Sequence, residues 1–267
     1  MRTVTATFAR QWTTTRRAYP WTYFTATVMQ GAIVIAVAYL MFHEVAGGRV
    51  DPLFGSRTGT GDYLGYVAIG AIASAFTLRM LLWTAKAMIT EEREGTIISL
   101  LVAPAGRVPY LTGFVLFAFT STLLEVASLT LIAALLGVGF PAVDPLGLLL
   151  ATVLFTAAAF GLSLALNVVM LRAGEAHVSQ NTLFLVLFLV CGFTFPTQYL
   201  PTAVQWFAEA FPVTSAMDVL RAALGEGFSL ADVAGRSAVC LAVSALYIVA
   251  GFLLLPRAER SVMERTF

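Results

Sequence analysis

Long apolar runs constrain this chain more than any other feature. A helix needs about 20 predominantly apolar residues to cross a hydrocarbon core of about 30 Å, and five such runs are evident, at roughly 22–42, 63–87, 108–137, 146–171 and 232–255. A sixth, at 180–195, is interrupted. From Thr182 ("TLFLVLFLVCGFTF") it meets Pro196 after 14 residues, which is about 21 Å at helical rise. Charged residues make up 12% of the 267 and mean hydropathy is +0.85, against about 25% charged in soluble domains. The expected fold is an all-α membrane protein with six transmembrane helices.

Basic residues set the expected orientation. With the amino terminus inside, inner segments carry Arg2, Arg10, Arg16, Arg17, Lys86, Arg93, Arg107, Arg172, Arg257, Arg260 and Arg265, and outer segments carry Arg49, Arg57, Arg221 and Arg236. Eleven against four puts both termini in the cytoplasm of a multi-pass cell-membrane protein. The first run follows a basic stretch of about 20 residues and precedes no small-x-small site, so it reads as a retained span. A net charge of +1 without a basic, aromatic-interleaved surface argues against nucleic acid as a partner. Cys191 and Cys240 fall in apolar runs and read as small buried hydrophobes.

Residues 1–20 place Val4, Phe8 and Trp12 at i, i+4 spacing beside Arg10, Arg16 and Arg17, which suits a helix lying in the inner membrane interface. Their many threonines lower helix propensity, so a basic tail is the alternative. Residues 43–62, rich in glycine and turn formers, read as a surface connection. "GVGFPAVDP" reads as a tight outer turn and "RAGEAHVSQ" as a short inner loop. No repeat at a fixed period and no soluble domain is evident, so 1–267 reads as a single transmembrane domain.

Residues 196–227 break the pattern, with three prolines and two short apolar-periodic stretches. Pro201 can open a helix from Thr202 to Phe211 that Pro212 stops. Ser215 can cap a second helix, with Asp218 near its positive end, Arg221 towards its negative end and Gly225 as terminator. Two short helices dipping into the outer membrane edge would form a re-entrant element. Their free backbone groups need protein or a wet cavity over them.

Several chemistries are excluded. Lys86 is the only lysine and no P-loop surrounds it, so the chain cannot build its own nucleotide site and is not expected to be an enzyme. His43 and His177 fall on opposite sides of the membrane, without an H-E-x-x-H motif. There is no G-x-S-x-G elbow.

A few polar residues lie inside spans. Glu125, near mid-membrane, is expensive there unless paired, protonated or facing water. It reads either as a pathway residue or as a structural partner of another helix. Arg79 lies nearer the inner end of its span, where snorkelling is the favoured account and pairing with Glu125 the alternative. Asn167 and Asn181 read as interhelical hydrogen-bonding residues.

The charged run "EEREGT" falls between the second and third spans, on the inner side. Thr90 can cap a helix over 91–103, with Glu91, Glu92 and Glu94 in its first turn. Glu92, Thr96, Ser99 and Ala103 would form its polar or small stripe, and Ile97, Leu100 and Leu101 its apolar one. Pro104 and Gly106 would end it.

With its continuation, "EEREGTIISLLVAPAGRVPYLTG" resembles the cytoplasmic signature of ABC-2-type transporter permeases, except that Glu94, Gly95 and Thr96 follow one another without an intervening residue. "FPTQYLPTAVQWFAEAFPVTSAMDVLR" is similar to that family's pattern before the last span. The resemblance implies a permease that pairs with a second copy or a related permease and with two ATP-binding-cassette subunits, which would hold ATP and Mg. It implies a coupling helix at 91–103, with Glu91, Glu92, Arg93, Glu94 and Gly95 as contacts to the ATPase. It also assigns Pro196, Pro201 and Pro212 to an outer re-entrant element that closes the pathway. The expected function is export of a hydrophobic or amphipathic compound such as a drug, antibiotic or lipid. Glycan or lipid-linked polysaccharide export is a rival within the family. An ion-coupled secondary transporter would call for paired intramembrane carboxylates and inverted repeats, which are lacking.

Overall fold

The computed structural model describes residues 2–18, 22–50, 52–58, 61–102, 107–139, 144–224 and 228–266. Its regular elements are all helical: α1 (Arg2–Ala18), α2 (Thr22–Leu40), α3 (Pro52–Thr58), α4 (Tyr63–Arg93), α5 (Ile97–Val102), α6 (Arg107–Leu135), α7 (Pro145–Ala173), α8 (His177–Val190), α9 (Thr202–Glu209), α10 (Pro212–Ala223) and α11 (Leu230–Thr266). A π-helical turn, Met41–Val45, prolongs α2, and a 3₁₀ turn, Thr197–Tyr199, precedes α9.

Among the described residues, five helices are long and apolar enough to cross a membrane, namely α2 with its π turn, α4, α6, α7 and α11. The interrupted run forms α8, which is apolar but only 14 residues long. Side-chain oxygens start two of the long helices. Asp62 accepts from the Gly65 amide at 2.9 Å, and Asp144 accepts from Leu146 and Gly147 at 2.8 and 2.9 Å, with Pro145 in the first turn of α7. Some hydroxyls within the spans are satisfied locally: buried Thr77 and Thr122 donate to the carbonyls of Ala73 and Ala118, four residues back.

The core centres on α4 and α7, with α6, α10 and α11 against them. Where α7 and α11 touch, a Cβ on Gly251 would lie 2.6 Å from Leu164 Cβ, so a small residue sets this helix spacing. Towards membrane or partner the surface is aliphatic, with Met29, Ile33, Val37, Leu116, Leu131, Leu246 and Leu253 exposed.

Several expected boundaries shift. Residues 43–62 are not wholly irregular: α3 buries Phe54 edge-on against Tyr63 and Tyr66, at ring distances of 5.7 and 5.2 Å. The last span continues past 255, through Pro256, as part of a 37-residue helix. The helix expected at 91–103 divides, because α4 runs on through Thr90 and ends only at Arg93. Thr90 is therefore an interior residue and not a cap. Ala103, Pro104 and Gly106, read as the end of that helix, lie outside the described residues, as does Gly225.

Candidate functional site

The charged run folds as the closing turn of α4, a break and a short α5. Gly95 adopts φ 70°, the left-handed conformation that glycine takes without steric penalty. Its amide donates to the Glu92 carbonyl at 3.1 Å, and the Thr96 amide reaches back to the Glu91 carbonyl at 2.9 Å. This is the paired closure of a Schellman-type helix end. It puts Glu91, Glu92 and Glu94 at the negative end of the α4 dipole, where carboxylates are disfavoured.

The compensation comes from α1 and α6. Arg10 donates to Glu91 at 2.7 Å and to Glu94 at 3.2 Å. The Tyr110 hydroxyl lies 3.0 Å from Glu91 Oε1 and 3.1 Å from the Ala87 carbonyl, and Thr96 Oγ1 donates to Glu91 Oε2. The Glu91 side chain is 3% exposed and gathers α1, α4, α6 and the start of α5 on one carboxylate. Arg10 and Glu94 are half exposed, so their share is a solvent-screened surface pair. Around the same junction, Phe8 and Trp12 stack on each other and meet Phe117 edge-on, and Thr7 fills the space beside Gly113. Beyond it α5 buries Ile97 and exposes Ile98 and Val102. Arg93, Glu94 and Gly95 are exposed, and Glu92 is half buried.

Between α4 and α6, Arg79 Nε lies 2.6 Å from Glu125 Oε2, with both side chains buried. Arg79 does not snorkel, since its carboxylate partner lies within the bundle. A cavity of ≈ 100 Å³ adjoins the pair and is lined by Gln30, Ser74, Phe184 and Phe188 among others. Asn167 is buried and its amide has no hydrogen-bond partner among the described residues, so the expected interhelical bond is not made. Asn181 is exposed at the start of α8, with Gln180 Nε2 3.5 Å from its Oδ1.

At the opposite end of the bundle the chain after α8 unwinds at Gly192, where φ is 75°. Arg221 of α10 donates to the Gly192 carbonyl at 2.6 Å and lies 3.4 Å from that of Phe193. Its guanidinium stacks 3.3 Å from the centre of the Tyr66 ring. One cation thus satisfies the backbone freed where α8 stops and fastens α10 to α4. Burial lowers the Arg221 pKa to about 9. Pro196 precedes the 3₁₀ turn, and Pro201 sits at the start of α9 as expected. Pro212 opens α10 in its first turn, where its missing N–H is no loss, instead of stopping the helix before it; α9 has already ended at Glu209. Ser215 is buried inside α10 and caps nothing.

The chain also matches a family model described as ABC-2 type transporter over residues 2–224, from α1 to the end of α10. The chain belongs to the ABC-2 type transporter family. It is accordingly a multi-pass membrane component of a transporter, of a family that pairs with ATPase subunits. No curated protein matches it. Within this ABC-2 chain, no group of three or more His, Cys, Asp or Glu side chains converges as a metal site among the described residues. Both cysteines are free and buried.

The sequence does not mark Arg10, Tyr110 or Tyr66 as site residues of this ABC-2 domain. Arg10 lies 81 residues from Glu91, and a basic residue near the amino terminus carries no mark of its partner. Arg221 was legible as a helix-end charge but not as the clasp on Gly192 and Phe193.

The end of the ABC-2 domain that carries α9 and α10, the hairpin end, is expected to respond to pH. Burial raises the Asp218 carboxyl to about 6 from its ordinary 3.8, with the Arg236 guanidinium opposing and the Glu209 carboxylate adding to the rise. A carboxyl raised in the folded chain contributes stability that is complete below about pH 4 and lost as pH climbs through about 6. Thermal unfolding from pH 4 to 7 should therefore show a loss of stability that Asp218→Asn flattens. An unchanged pH profile in the variant would contradict this assignment.

Proposed function

We propose that the chain is the permease subunit of an ATP-driven exporter that moves a hydrophobic or amphipathic substrate outward across the cell membrane. Both termini face the cytoplasm, six spans cross the membrane with α8 as the short fifth, and a second copy or a related permease completes the pathway. Two ATPase subunits hold ATP and Mg. Glu91, Glu92, Arg93, Glu94 and Gly95, with α5, form the surface that the ATPase engages. The segment containing Pro196, Pro201 and Pro212 closes the outer side.

The observation that carries this reading is the Glu91 junction. A push on α5 or on the last turn of α4 would reach α1 through Arg10 and α6 through Tyr110, both of which meet Glu91. An apolar or amphipathic cargo would suit one cavity, of ≈ 620 Å³, where Val115, Phe119, Leu149, Val153 and Phe160 stand beside Thr112, Thr152 and Thr156. Ion coupling receives less support, because Glu125 is neutralised by Arg79 instead of facing a second carboxylate.

The test is co-purification with the ATPase encoded beside the permease, together with its ATP hydrolysis. The double variant Glu92→Lys/Glu94→Lys should insert and purify normally yet lose most ATPase association and stimulation, because two charges reverse at the end of α4, one exposed and one half buried. Unchanged assembly and transport in that variant would remove the coupling assignment. Failure of the wild-type chain to bind any ATPase would remove the exporter reading.

A further inference from the structure

A second cavity, of ≈ 640 Å³, opens at the hairpin end between the π turn after α2, α3, the start of α4 and the segment after α8. Its volume lies in the range of about 300–1,000 Å³ typical of small-molecule sites. Five aromatic rings contribute to its wall: Phe42, Phe54, Tyr63, Phe195 and Tyr199. Three of them brace one another, with Tyr63 5.9 Å from Phe42 and 5.7 Å from Phe54, so part of the wall is built before any ligand arrives.

The only charged group lining this cavity, among the described residues, is Arg49. Its side chain is exposed and makes no ion pair among the described residues. Its backbone is held by the turn, since its amide donates to the Ala46 carbonyl at 3.1 Å. The π turn at Met41–Val45 is a second irregular feature of the same wall. Such turns are rare and frequent at functional sites. An aromatic hollow edged by one guanidinium that makes no ion pair among the described residues is complementary to a molecule with an apolar body and an acidic head.

We infer that this cavity binds an amphipathic anion, with its acid group on Arg49 and its alkyl or aryl body against the aromatic wall. The site is separate from the coupling surface and needs neither the ATPase nor transport to operate. Two sources share the chemistry, an anionic membrane lipid and a soluble amphiphilic acid.

The experiment uses the full chain in nanodiscs of zwitterionic lipid with two photoreactive probes, a diazirine-bearing dodecanoic acid and the matching dodecanol. Crosslinked peptides are mapped by mass spectrometry. The acid should label 41–50 and 194–199 about tenfold more than the alcohol, the preference expected of one charge-assisted hydrogen bond. Arg49→Gln should abolish that preference while leaving the alcohol's weaker labelling in place. Arg49→Glu should transfer it to a diazirine-bearing dodecylamine. Phe195→Ala should weaken labelling by acid and alcohol alike. Displacement of the acid by added phosphatidylglycerol would assign the site to a lipid, and persistence of labelling would assign it to a soluble acid. Equal labelling by acid and alcohol in the unaltered chain, or labelling spread over the exposed faces of α2 and α6, would overturn the inference.

Discussion

Replacing Glu125 by Ala is expected to destabilise the permease by about 3–5 kcal/mol, because it leaves the Arg79 guanidinium buried without its carboxylate. That is a large part of the roughly 5–15 kcal/mol that holds a typical domain folded. Arg79→Met should cost a comparable amount. The double variant Arg79→Met/Glu125→Leu should recover most of the loss, since breaking a buried pair is far worse than replacing both partners by apolar groups of similar size. Thermal unfolding of the purified protein measures all three. Equal stability of Glu125→Ala and wild type would show that the pair contributes nothing. Transport by the double variant then separates the two roles open to Glu125. A structural pair leaves transport intact once the fold is rescued. A pathway pair, beside its ≈ 100 Å³ cavity, gives a stable protein that transports poorly.

The second large effect is expected at Gly70. A Cβ there would stand 1.6 Å from the Phe193 carbonyl oxygen and 2.6 Å from its carbon, atoms of a backbone that Arg221 holds in place. Backbone cannot turn aside as a side chain can, so α4 and the segment after α8 must separate. Gly70→Ala should cost at least the roughly 1–3 kcal/mol of ordinary overpacking, and Gly70→Val more. The damage should be local. Amide exchange in 191–199 should rise by an order of magnitude or more while the α1 end stays protected, since about 1.4 kcal/mol corresponds to tenfold in an opening equilibrium. Gly235→Ala is the control. Nothing lies within 4 Å of a Cβ there, and alanine favours a helix by up to about 1 kcal/mol. If Gly70→Ala behaved like Gly235→Ala, the close approach of α4 to Phe193 would be refuted.

These two sites mark where sequence reasoning stopped. Glu125 was legible as costly at its depth, and Arg79 was within view, but snorkelling looked the better account for an arginine near a span end. Deciding between them requires knowing that α4 and α6 bring residues 46 positions apart to 2.6 Å. Gly70 sits in a run with Gly65, Ala71 and Ala73, and nothing in that run marks it as the residue that abuts the Phe193 carbonyl. Thr90 failed for a different reason. It satisfies the local rule for a cap, but α4 had enough apolar surface to bury that its helix ran on for another turn, and the left-handed glycine at 95 ended it instead.

By itself the sequence determined the five long spans and the family. Backbone amides and carbonyls in hydrocarbon have no water to bond, which leaves a long apolar run no stable form but a helix. It also determined the amphipathic α1, through the spacing of Phe8 and Trp12, and the division of the stretch after Pro196 into short helices, because Pro201 and Pro212 each mark a helix start. Only the tertiary structure decided which charges neutralise one another. Arg10 with Glu91, Arg79 with Glu125 and Arg221 with the free carbonyls of 192 and 193 are each joined across tens of residues. A charge in the sequence states that a partner is needed, and packing alone supplies the distance that names it.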